Sequence, residues 1–500
     1  MHRFFTSLSV LLITCATSLA EMQTVTPKED LEVVLSNPDM GWILYENYPL
    51  DPRSDGSSTM LNLPETSFDG CDHVAVMFAW SDVEKLEGRY DWSKVDKAWD
   101  HWTARGKSIQ LRMSTEPLFG WSRLRPAGGL GIPEWLLAGI PGEQKQLRKD
   151  EQGNFGWHVD ARNALYRERL KVFLTETRAH LSGPRRPTLV DLRGFGRWGE
   201  WHTGFRYPTV EERREALAIL LDLWTEVFDD QMLALSYSYD PDGPAALNSG
   251  PKNRYDPAFT ANYQEFLHYS AFDLALLKPN ITLRRDGVGG AVSSNERKLS
   301  SQVYRDLRRA PQVSEFVGSY AKTRQGGPDH LSWAVDDALS LHPNYINLLG
   351  YGSKDAFSFM RDRPDLVARG MRGMGYRIVP LKINLPKVIR AGEKFAMDIQ
   401  WTNRAAGRAL RDFRMKVRIV DNNSTVLAET DAGSVPTSQW LQNEKHITRG
   451  QIIFPALKGS GPAALQISLV DAATGKAINL PLVPTAGKGF HVIANVEVEP

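Results

Sequence analysis

Short apolar runs alternate with longer amphipathic stretches between about residue 37 and residue 379. Short apolar runs are typical of buried strands, and apolar residues spaced three or four apart are typical of helices packed on a sheet. Their alternation predicts parallel strands joined by crossover helices. The predicted strands are 42–45, 73–78, 108–113, 188–193, 232–237, 281–285, 312–316 and 345–349. The predicted helices are 92–105, 163–181, 210–228, 258–269, 296–309, 330–341 and 354–371.

Eight strand-helix units in this part of the chain fit an α/β fold of the (β/α)8 TIM-barrel type better than an open doubly wound sheet. One connection, residues 117–160, is long and rich in Gly, Pro and Trp. An insertion at that point of a barrel, after the third strand, lies at the rim of the active site.

The pattern changes after residue 380 to short runs with partial alternation, separated by turns, at 381–385, 395–401, 415–420, 451–454, 464–470 and 489–498. This pattern predicts a small antiparallel β-sandwich. Twelve of the 14 tryptophans precede it, which favours a supporting role over a surface for stacking sugars. The predicted domains are therefore a signal peptide (1–20), a barrel (21–379) and a sandwich (380–500).

The first twenty residues read as a secretory signal, with a basic start, an apolar stretch at 8–14 and a small-x-small cleavage site ending at Ala20. We therefore expect a secreted or periplasmic protein. No later stretch approaches the roughly 18 apolar residues that cross a bilayer. Cleavage removes Cys15 and leaves Cys71 without a disulfide partner. Lipid attachment at Cys15 is the alternative, but Thr14 before it is a poor match.

Composition and charge exclude several classes of protein. The 500 residues are 42% hydrophobic and 24% charged, as in globular rather than disordered or fibrous chains. There are 60 basic and 59 acidic residues, and loss of Arg3 with the signal makes the numbers equal. General attraction to nucleic acid or to an anionic membrane is therefore not expected.

The richest motif is residues 191–202, Asp-Leu-Arg-Gly-Phe-Gly-Arg-Trp-Gly-Glu-Trp-His. Glu200 is flanked by Trp198 and Trp201. A carboxyl group against indole faces is partly desolvated, which suits a general acid, and indole faces also stack on sugars. The alternative is that the tryptophans are core packing and Glu200 a salt-bridge partner. We favour the catalytic interpretation because such a glycine-rich loop packs poorly.

Glu315 follows an apolar half-turn where a buried strand should emerge. Taken alone it could equally be a structural partner of a nearby arginine. Glu200 and Glu315 lie three βα units apart, so their side chains should converge on one barrel mouth. Two such carboxyls are what glycoside hydrolysis needs, one as acid/base and one as nucleophile.

Residues 78–92, Phe-Ala-Trp-Ser-Asp-Val-Glu-Lys-Leu-Glu-Gly-Arg-Tyr-Asp-Trp, and the strand that begins Ile109-Gln-Leu-Arg resemble retaining glycoside hydrolases of the β-galactosidase and cellulase-like barrel superfamily. The resemblance implies that the acid/base follows strand four, at Glu200, and that the nucleophile is on strand seven, at Glu315. One position departs from the superfamily, which usually has Asn where this chain has Gly199.

The Trp-Gly-Glu-Trp-His motif and Trp401-Thr-Asn also resemble secreted bacterial proteins with the same barrel and a C-terminal sandwich, catalogued as a domain of unknown function. A poly- or oligosaccharide is thus the expected partner. No cofactor is needed for this chemistry, and no metal is expected. The sequence has no His-Glu-x-x-His, and Asp240-Pro-Asp-Gly is only a fragment of a calcium loop.

Arginines cluster near strand ends and could grip an acidic polysaccharide, but we favour a role in orienting the glutamates. The residues predicted to line the substrate site are Arg112, Glu116, Arg193, Trp198, Trp201, His202, Tyr237, Arg285, Asp286, Tyr320 and Asn347. Two other functions remain open. One is a lyase on uronic-acid polymers, using Arg285, Tyr237 and His202. The other is a carbohydrate-binding or matrix protein without turnover.

Overall fold

A computed structural model describes residues 21–46, 71–116, 131–149, 155–201, 204–237, 262–290, 292, 294–308, 311–348, 353–483 and 489–500. Within these residues eight parallel strands close into a barrel in chain order. They are β1 Gly41–Glu46, β2 His73–Ala79, β3 Ser108–Ser114, β4 Leu189–Arg193, β5 Leu233–Tyr237, β6 Ile281–Val288, β7 Val313–Phe316 and β8 Tyr345–Asn347. The predicted TIM barrel is confirmed.

The inward-facing positions of the barrel change character from bottom to top. Towards the N-terminal ends they form a small apolar cluster that includes Ile43, Ala75, Leu189, Ala234 and Val313. On β4, β5 and β7 the residue two positions further along is polar, namely Asp191, Ser236 and Glu315. Because side chains alternate along a strand, the apolar floor and the polar mouth belong to one inward-facing set. The floor excludes water beneath the polar residues.

Helices surround the barrel and bury their apolar faces against its outer surface. The helices are Trp80–Val83, Ser93–Thr103, Glu134–Gly139, Ala164–His180, Val210–Val227, Tyr263–Tyr269, Phe272–Ala275, Ser294–Asp306, Tyr320–Thr323, Gly327–Leu339, Ser353–Asp362 and Pro364–Gly373. Their starts follow local chemistry. Asn163 caps Ala164–His180, and Thr209 with Glu212 forms a capping box on Val210–Val227. The single helix predicted at 354–371 is two helices, because Pro364 lacks the N–H that an uninterrupted helix needs.

The C-terminal region is a sandwich of two sheets, as predicted. One contains Met22–Val25, Ile378–Pro386, Lys394–Asn403 and Lys445–Ile453. The other contains Val388–Arg390, His491–Glu499, Gly461–Asp471, Phe413–Asp421 and Val426–Val435. Several features differ from the sequence prediction. Val388–Arg390 was not predicted, and it pairs with His491–Glu499 in parallel although an antiparallel sandwich was expected. Met22–Val25 pairs with the sandwich rather than the barrel, and Val426–Val435 was not predicted because it is largely exposed and polar.

The sandwich contacts the N-terminal end of the barrel, opposite the mouth. Asn344, just before β8, donates from Nδ2 to the carbonyl of Arg408 at 2.8 Å. Arg411 pairs with Asp39, just before β1, at 2.6 Å. The C-terminal ends of the strands are therefore not covered by these contacts. Among the described residues no helix is both long and apolar enough to cross a membrane.

Candidate active site

Four acidic and three basic side chains meet at the C-terminal end of the barrel interior. They are Asp191, Glu200, Asp286, Glu315, Arg112, Arg193 and Arg284. Apart from Glu200, each lies on a strand at an inward-facing position. Charges are buried only when they are paired, so this concentration of ion pairs at a barrel mouth needs a functional explanation.

Asp191 on β4 lies at the base of this cluster and is contacted by all three arginines. Its Oδ2 is 3.1 Å from Nε of Arg112, 3.4 Å from Nε of Arg193 and 3.3 Å from Nη1 of Arg284. Burial raises the pKa of Asp191 to about 6, although Arg284 and Arg112 act in the opposite direction. This carboxylate therefore fixes the positions of the arginines from below.

The same arginines converge on one oxygen of Glu315 on β7. Its Oε2 is 3.0 Å from Nε of Arg284, 3.2 Å from Nη1 of Arg112 and 4.0 Å from Nη2 of Arg193. Arg284 also contacts the hydroxyl of Tyr45, and the Arg112 guanidinium stacks over the Tyr45 ring at 4.2 Å. The Glu315 carboxylate is thus held in one orientation.

Glu200 lies beside Glu315 and is joined to it through Arg193. Nη2 of Arg193 is 3.7 Å from Oε1 of Glu200 and 4.0 Å from Oε2 of Glu315. The two carboxylate oxygens can therefore be no more than about 7.7 Å apart, the sum of these distances. The Glu200 side chain is 14% exposed and that of Glu315 5%, so Glu200 is the more open to solvent. The sequence-predicted pair is brought together at one mouth.

Glu200 follows a loop with an unusual backbone. Gly196, Trp198, Gly199 and Trp201 all have positive φ, at 79°, 56°, 71° and 62°. For the two tryptophans this conformation is strained, and such strain clusters at functional sites. Nη1 of Arg193 donates to the carbonyl of Trp198, which ties the loop to β4. The loop therefore projects Glu200 back over its own strand.

The backbone at Gly199 leaves no room for a side chain before Glu200. A Cβ at this position would lie 2.5 Å from Cβ of Arg193 and 2.6 Å from its carbonyl oxygen. With φ at +71°, asparagine would meet both strain and a steric clash here. The loop packs directly on Arg193. Arg193 therefore contacts Glu200 and also leaves no room for a side chain at position 199.

The tryptophans flanking Glu200 differ in environment. Trp201 is 5% exposed, packs in the barrel core and donates from Nε1 to the carbonyl of Leu192 at 2.9 Å. Trp198 is partly exposed. Trp201 is therefore a core residue, as the alternative interpretation of the motif expected. Trp198 is the flanking tryptophan that is accessible to solvent.

Asp286 on β6 completes the cluster. Its Oδ2 accepts from the hydroxyl of Ser236 at 3.0 Å, and its Oδ1 is 3.2 Å from Nε of Arg284. Burial raises the pKa of Asp286, and the charge of Glu200 raises it further. Burial likewise raises the pKa of Glu315, against the attraction of Arg112.

Glu116 does not join this cluster through any contact within the described residues. It is buried and accepts from Nδ1 of His158 at 2.7 Å, and burial raises the pKa of its carboxyl well above the ordinary value. His158 lies on the hairpin Lys145–Lys149 and Phe155–Val159 of the predicted insertion. Glu116 therefore anchors the insertion to the end of β3.

Arg285 and Tyr320 face away from the barrel interior, contrary to the sequence prediction. Arg285 alternates with the inward-facing Arg284 and pairs with Glu296 at 3.1 Å in the helix layer. Tyr320 is buried against Phe359. Asn347 is inward-facing and fully buried, and its Oδ1 accepts from the Phe316 N–H at 2.7 Å.

Two predicted residues fall partly or wholly outside the described structure. His202 lies outside the described residues, and Tyr237 ends β5 but its side chain is not described.

Asp191, Arg284, Tyr45 and Ser236 were not among the predicted site residues. The signal that could have found Asp191 and Arg284 is the two-residue period of a strand. It places residue 191 on the same face as residue 193, and residue 284 on the same face as residue 286. Ser236 lies on β5, the strand between β4 and β6. Within the described part of the chain, no group of three or more His, Cys, Asp or Glu side chains could hold a metal.

No family model matches the chain, and no curated protein matches it either. Several solved barrels are similar at low identity. The catalytic domain of β-amylase from Paenibacillus polymyxa has a TM-score of 0.41 and 12% identity, covering 58% of this chain and 90% of that one. Endo-glycoceramidase II from Rhodococcus sp. has 0.41 and 11%, covering 84% and 99%.

The endo-β-1,4-mannanase from Thermotoga petrophila has a TM-score of 0.37 and 10% identity, covering 94% of this chain and 98% of that one.

Proposed function

We propose that this protein is a glycoside hydrolase that cleaves β-glycosidic bonds in a poly- or oligosaccharide by a two-glutamate retaining mechanism. The observation that supports the proposal is the placement of Glu200 and Glu315 around one nitrogen of Arg193, with carboxylate oxygens no more than about 7.7 Å apart. The two carboxyl groups lie about 5 to 5.5 Å apart in retaining enzymes and about 6.5 to 9.5 Å apart in inverting ones, so the bound fits glycoside hydrolysis in general. The choice of a retaining mechanism follows the resemblance of residues 78–92 to retaining enzymes.

In the proposed reaction Glu315 attacks the anomeric carbon while Glu200 protonates the departing glycosidic oxygen. Glu200 then removes a proton from water, which attacks the same carbon and releases the sugar from Glu315. Arginine nitrogens on Oε2 of Glu315 keep it oriented and stabilise its charge when it leaves. The greater exposure of Glu200 suits a residue that exchanges protons with a leaving group and with water.

We further propose that the sugar bound next to Glu315 is neutral. Arg112, Arg193 and Arg284 all lie within ion-pair distance of carboxyl groups of the cluster. Their guanidinium groups are therefore directed at side chains of the protein rather than at a sugar. This favours the interpretation in which the arginines orient the glutamates. It also disfavours a lyase, because Arg285, which would neutralise a uronate, is paired in the helix layer.

The proposal is tested with Glu200→Gln and Glu315→Gln on a panel of aryl β-glycosides of neutral sugars. Glu296→Gln is the matched control, because Glu296 is buried and paired with an arginine but lies outside the barrel interior. We expect kcat to fall at least about 1000-fold in the two site variants and little in the control. Azide should restore activity to Glu200→Ala, since a small anion can enter the space that a general base leaves.

Three outcomes would overturn the proposal. Retention of activity in both site variants would remove the two glutamates from the mechanism. An unsaturated product absorbing in the ultraviolet, formed from a uronic-acid polymer, would indicate a lyase. Binding of oligosaccharide by the wild-type protein without hydrolysis of any panel member would indicate a carbohydrate-binding protein.

We also propose that the protein is secreted or periplasmic after loss of residues 1–20. Cleavage there would leave Glu21 as the first residue, immediately before the strand Met22–Val25. N-terminal sequencing of the protein from the culture medium or periplasm should begin at Glu21, and an uncleaved cytoplasmic product would contradict the proposal.

A further inference from the structure

One face of the hairpin Lys145–Lys149 and Phe155–Val159 carries three polar side chains. Gln146 pairs directly with His158 in the register of the two strands, so these two side chains lie on the same face. Arg148 lies two positions further along and shares that face. His158 is the residue that meets the carboxyl group at the end of β3. Gln146 and Arg148 are therefore presented by an element that is fixed to the barrel.

Gln146 and Arg148 both contact the backbone of the segment that follows Glu200. Oε1 of Gln146 accepts from the N–H of Arg206 at 2.8 Å, and its Nε2 donates to the carbonyl of the same residue at 3.2 Å. Nη1 of Arg148 donates to the carbonyl of Gly204 at 2.6 Å. The side-chain amide of Gln146 thus pairs with both backbone groups of residue 206, as a neighbouring strand would.

The contacted segment packs against the loop that carries Glu200. A Cβ on Gly204 would lie 2.3 Å from Cζ of Phe195, so the backbone at residue 204 lies directly on this ring. The carbonyl of Phe195 accepts from the N–H of Trp201, the residue after Glu200, at 2.9 Å. A displacement of residues 204–206 would therefore release the Phe195 ring and, through it, the backbone beside Glu200.

The loop needs support from other elements because its own backbone is strained. Trp198 and Trp201 both have positive φ, a conformation that persists only where the surrounding structure holds it. Arg193 contacts the loop at the carbonyl of Trp198. The hairpin contacts the continuation of the loop at residues 204 and 206. Glu200 lies between these two points of attachment.

We propose that Gln146 and Arg148 are positioning residues that hold the backbone after Glu200 and so place its carboxyl group for proton transfer. This inference rests on the proposed role of Glu200 as acid/base. The acid must lie within hydrogen-bond distance of the glycosidic oxygen, so a small displacement of the loop removes much of its contribution. Glu315 lies on β7 and is held by arginines of the barrel, so its position should not depend on the hairpin.

The test compares two leaving groups that differ in their need for a proton. 2,4-Dinitrophenolate departs without one, whereas a phenyl glycoside depends on a general acid, which contributes about 100- to 10,000-fold. The variants are Gln146→Met and Arg148→Met, which keep an extended side chain but lose its hydrogen bonds. We expect kcat/KM to fall at least about tenfold for a phenyl β-glycoside of a neutral sugar, and less than about threefold for the 2,4-dinitrophenyl glycoside of the same sugar.

Leu147→Ala is the matched control. Leu147 lies between the two residues on the opposite face of the same strand and is 48% exposed. This variant should leave both kcat/KM values unchanged. A merely structural role for Gln146 and Arg148 would lower both values in parallel. Parallel losses in the two Met variants, or no loss in either, would overturn the inference.

Amide exchange gives a readout without substrate. Exchange at residues 204–206 should accelerate at least about tenfold in Gln146→Met, because the N–H of Arg206 loses its acceptor, and should not change in Leu147→Ala. Unchanged protection in Gln146→Met would show that the hairpin does not hold this segment, and the inference would fail.

Glu200→Gln separates this inference from the proposed function. If this variant keeps the wild-type kcat/KM for the phenyl glycoside, the proposed role of Glu200 is wrong. If it loses that activity while Gln146→Met and Arg148→Met keep the wild-type ratio between the two glycosides, the proposed function stands and only the inference fails.

Discussion

At the residue scale, the site depends on one glycine. Gly199 allows the loop to turn back onto Arg193, and Arg193 then contacts both Glu200 and Glu315. A side chain at this position would push the loop, and Glu200 with it, away from the strand. The residue before Glu200 therefore has a steric role in this chain.

Gly199→Ala should destabilise the fold and impair catalysis. Its Cβ would lie 2.5 Å from Cβ of Arg193, so we expect a loss of at least about 3 kcal/mol in the free energy of unfolding. Gly88→Ala is the control, because φ is +68° there but nothing lies within 4 Å of the new Cβ, and it should cost about 1 kcal/mol. Urea denaturation measures both, and equal losses would show that the close approach to Arg193 is unimportant.

The residues that the sequence did and did not identify differ in whether a local pattern in the sequence marks them. The convergence of Glu200 and Glu315 was predictable because each follows or lies on a predicted strand, and strand ends meet at one mouth of a barrel. Arg285 was predicted to line the site but faces the helix layer, because a shift of one position along a strand moves a side chain to the other face. Asp191 was missed as a site residue because its role depends on three arginines from different strands, which no local pattern displays.

At the element scale, the insertion after β3 is fixed by a buried polar contact. His158 on the hairpin meets Glu116 at the strand end, 2.7 Å apart, with both side chains inaccessible to solvent. A buried hydrogen bond of this kind joins a long connection to the barrel more firmly than surface contacts do. The position of the hairpin therefore depends on this pair.

His158→Ala should release the hairpin. We expect a loss of about 3 kcal/mol in the free energy of unfolding, because Glu116 loses a buried partner and a cavity remains. Amide exchange should accelerate in Lys145–Lys149 and Phe155–Val159 but little in the barrel strands. His268→Ala, which breaks an exposed 3.8 Å pair with Asp273, should leave exchange in the hairpin unchanged. Unaltered protection in His158→Ala would contradict this account.

The elements themselves were largely predictable. The barrel strands are short apolar runs, and their burial on both faces makes them stand out from the amphipathic helices. Val426–Val435 was missed because an exposed edge strand needs no apolar run. The division of 354–371 into two helices was readable from Pro364, but the apolar periodicity on either side of it masked the break.

At the scale of the whole molecule, the sandwich and the barrel share a close backbone contact. A Cβ on Gly407 would lie 2.6 Å from the carbonyl oxygen of Pro343 and 2.8 Å from Oδ1 of Asn344. Tyr304 donates from its hydroxyl to the carbonyl of Gly407 at 3.2 Å. With Met22–Val25 also paired to the sandwich, the two domains should unfold together.

Gly407→Ala tests this coupling. The added methyl group should separate the domains, lower the melting temperature and divide one calorimetric transition into two. Gly450→Ala is the control, because its new Cβ would meet its nearest neighbour at 3.7 Å. Activity at low temperature should persist in both variants, since the contact lies at the end of the barrel opposite Glu200. A single unshifted transition in Gly407→Ala would show that the domains are independent.

The central claim is that Glu315 forms a covalent bond to the sugar, and trapping that bond tests it most directly. The probes are 2,4-dinitrophenyl 2-deoxy-2-fluoro-β-glycosides of neutral sugars, which retaining enzymes bind covalently and release slowly. We predict a mass increase of one fluorosugar on the peptide that contains Glu315, and none in Glu315→Gln. A label on another carboxyl group, or turnover of the parent aryl glycosides without any label, would contradict the account.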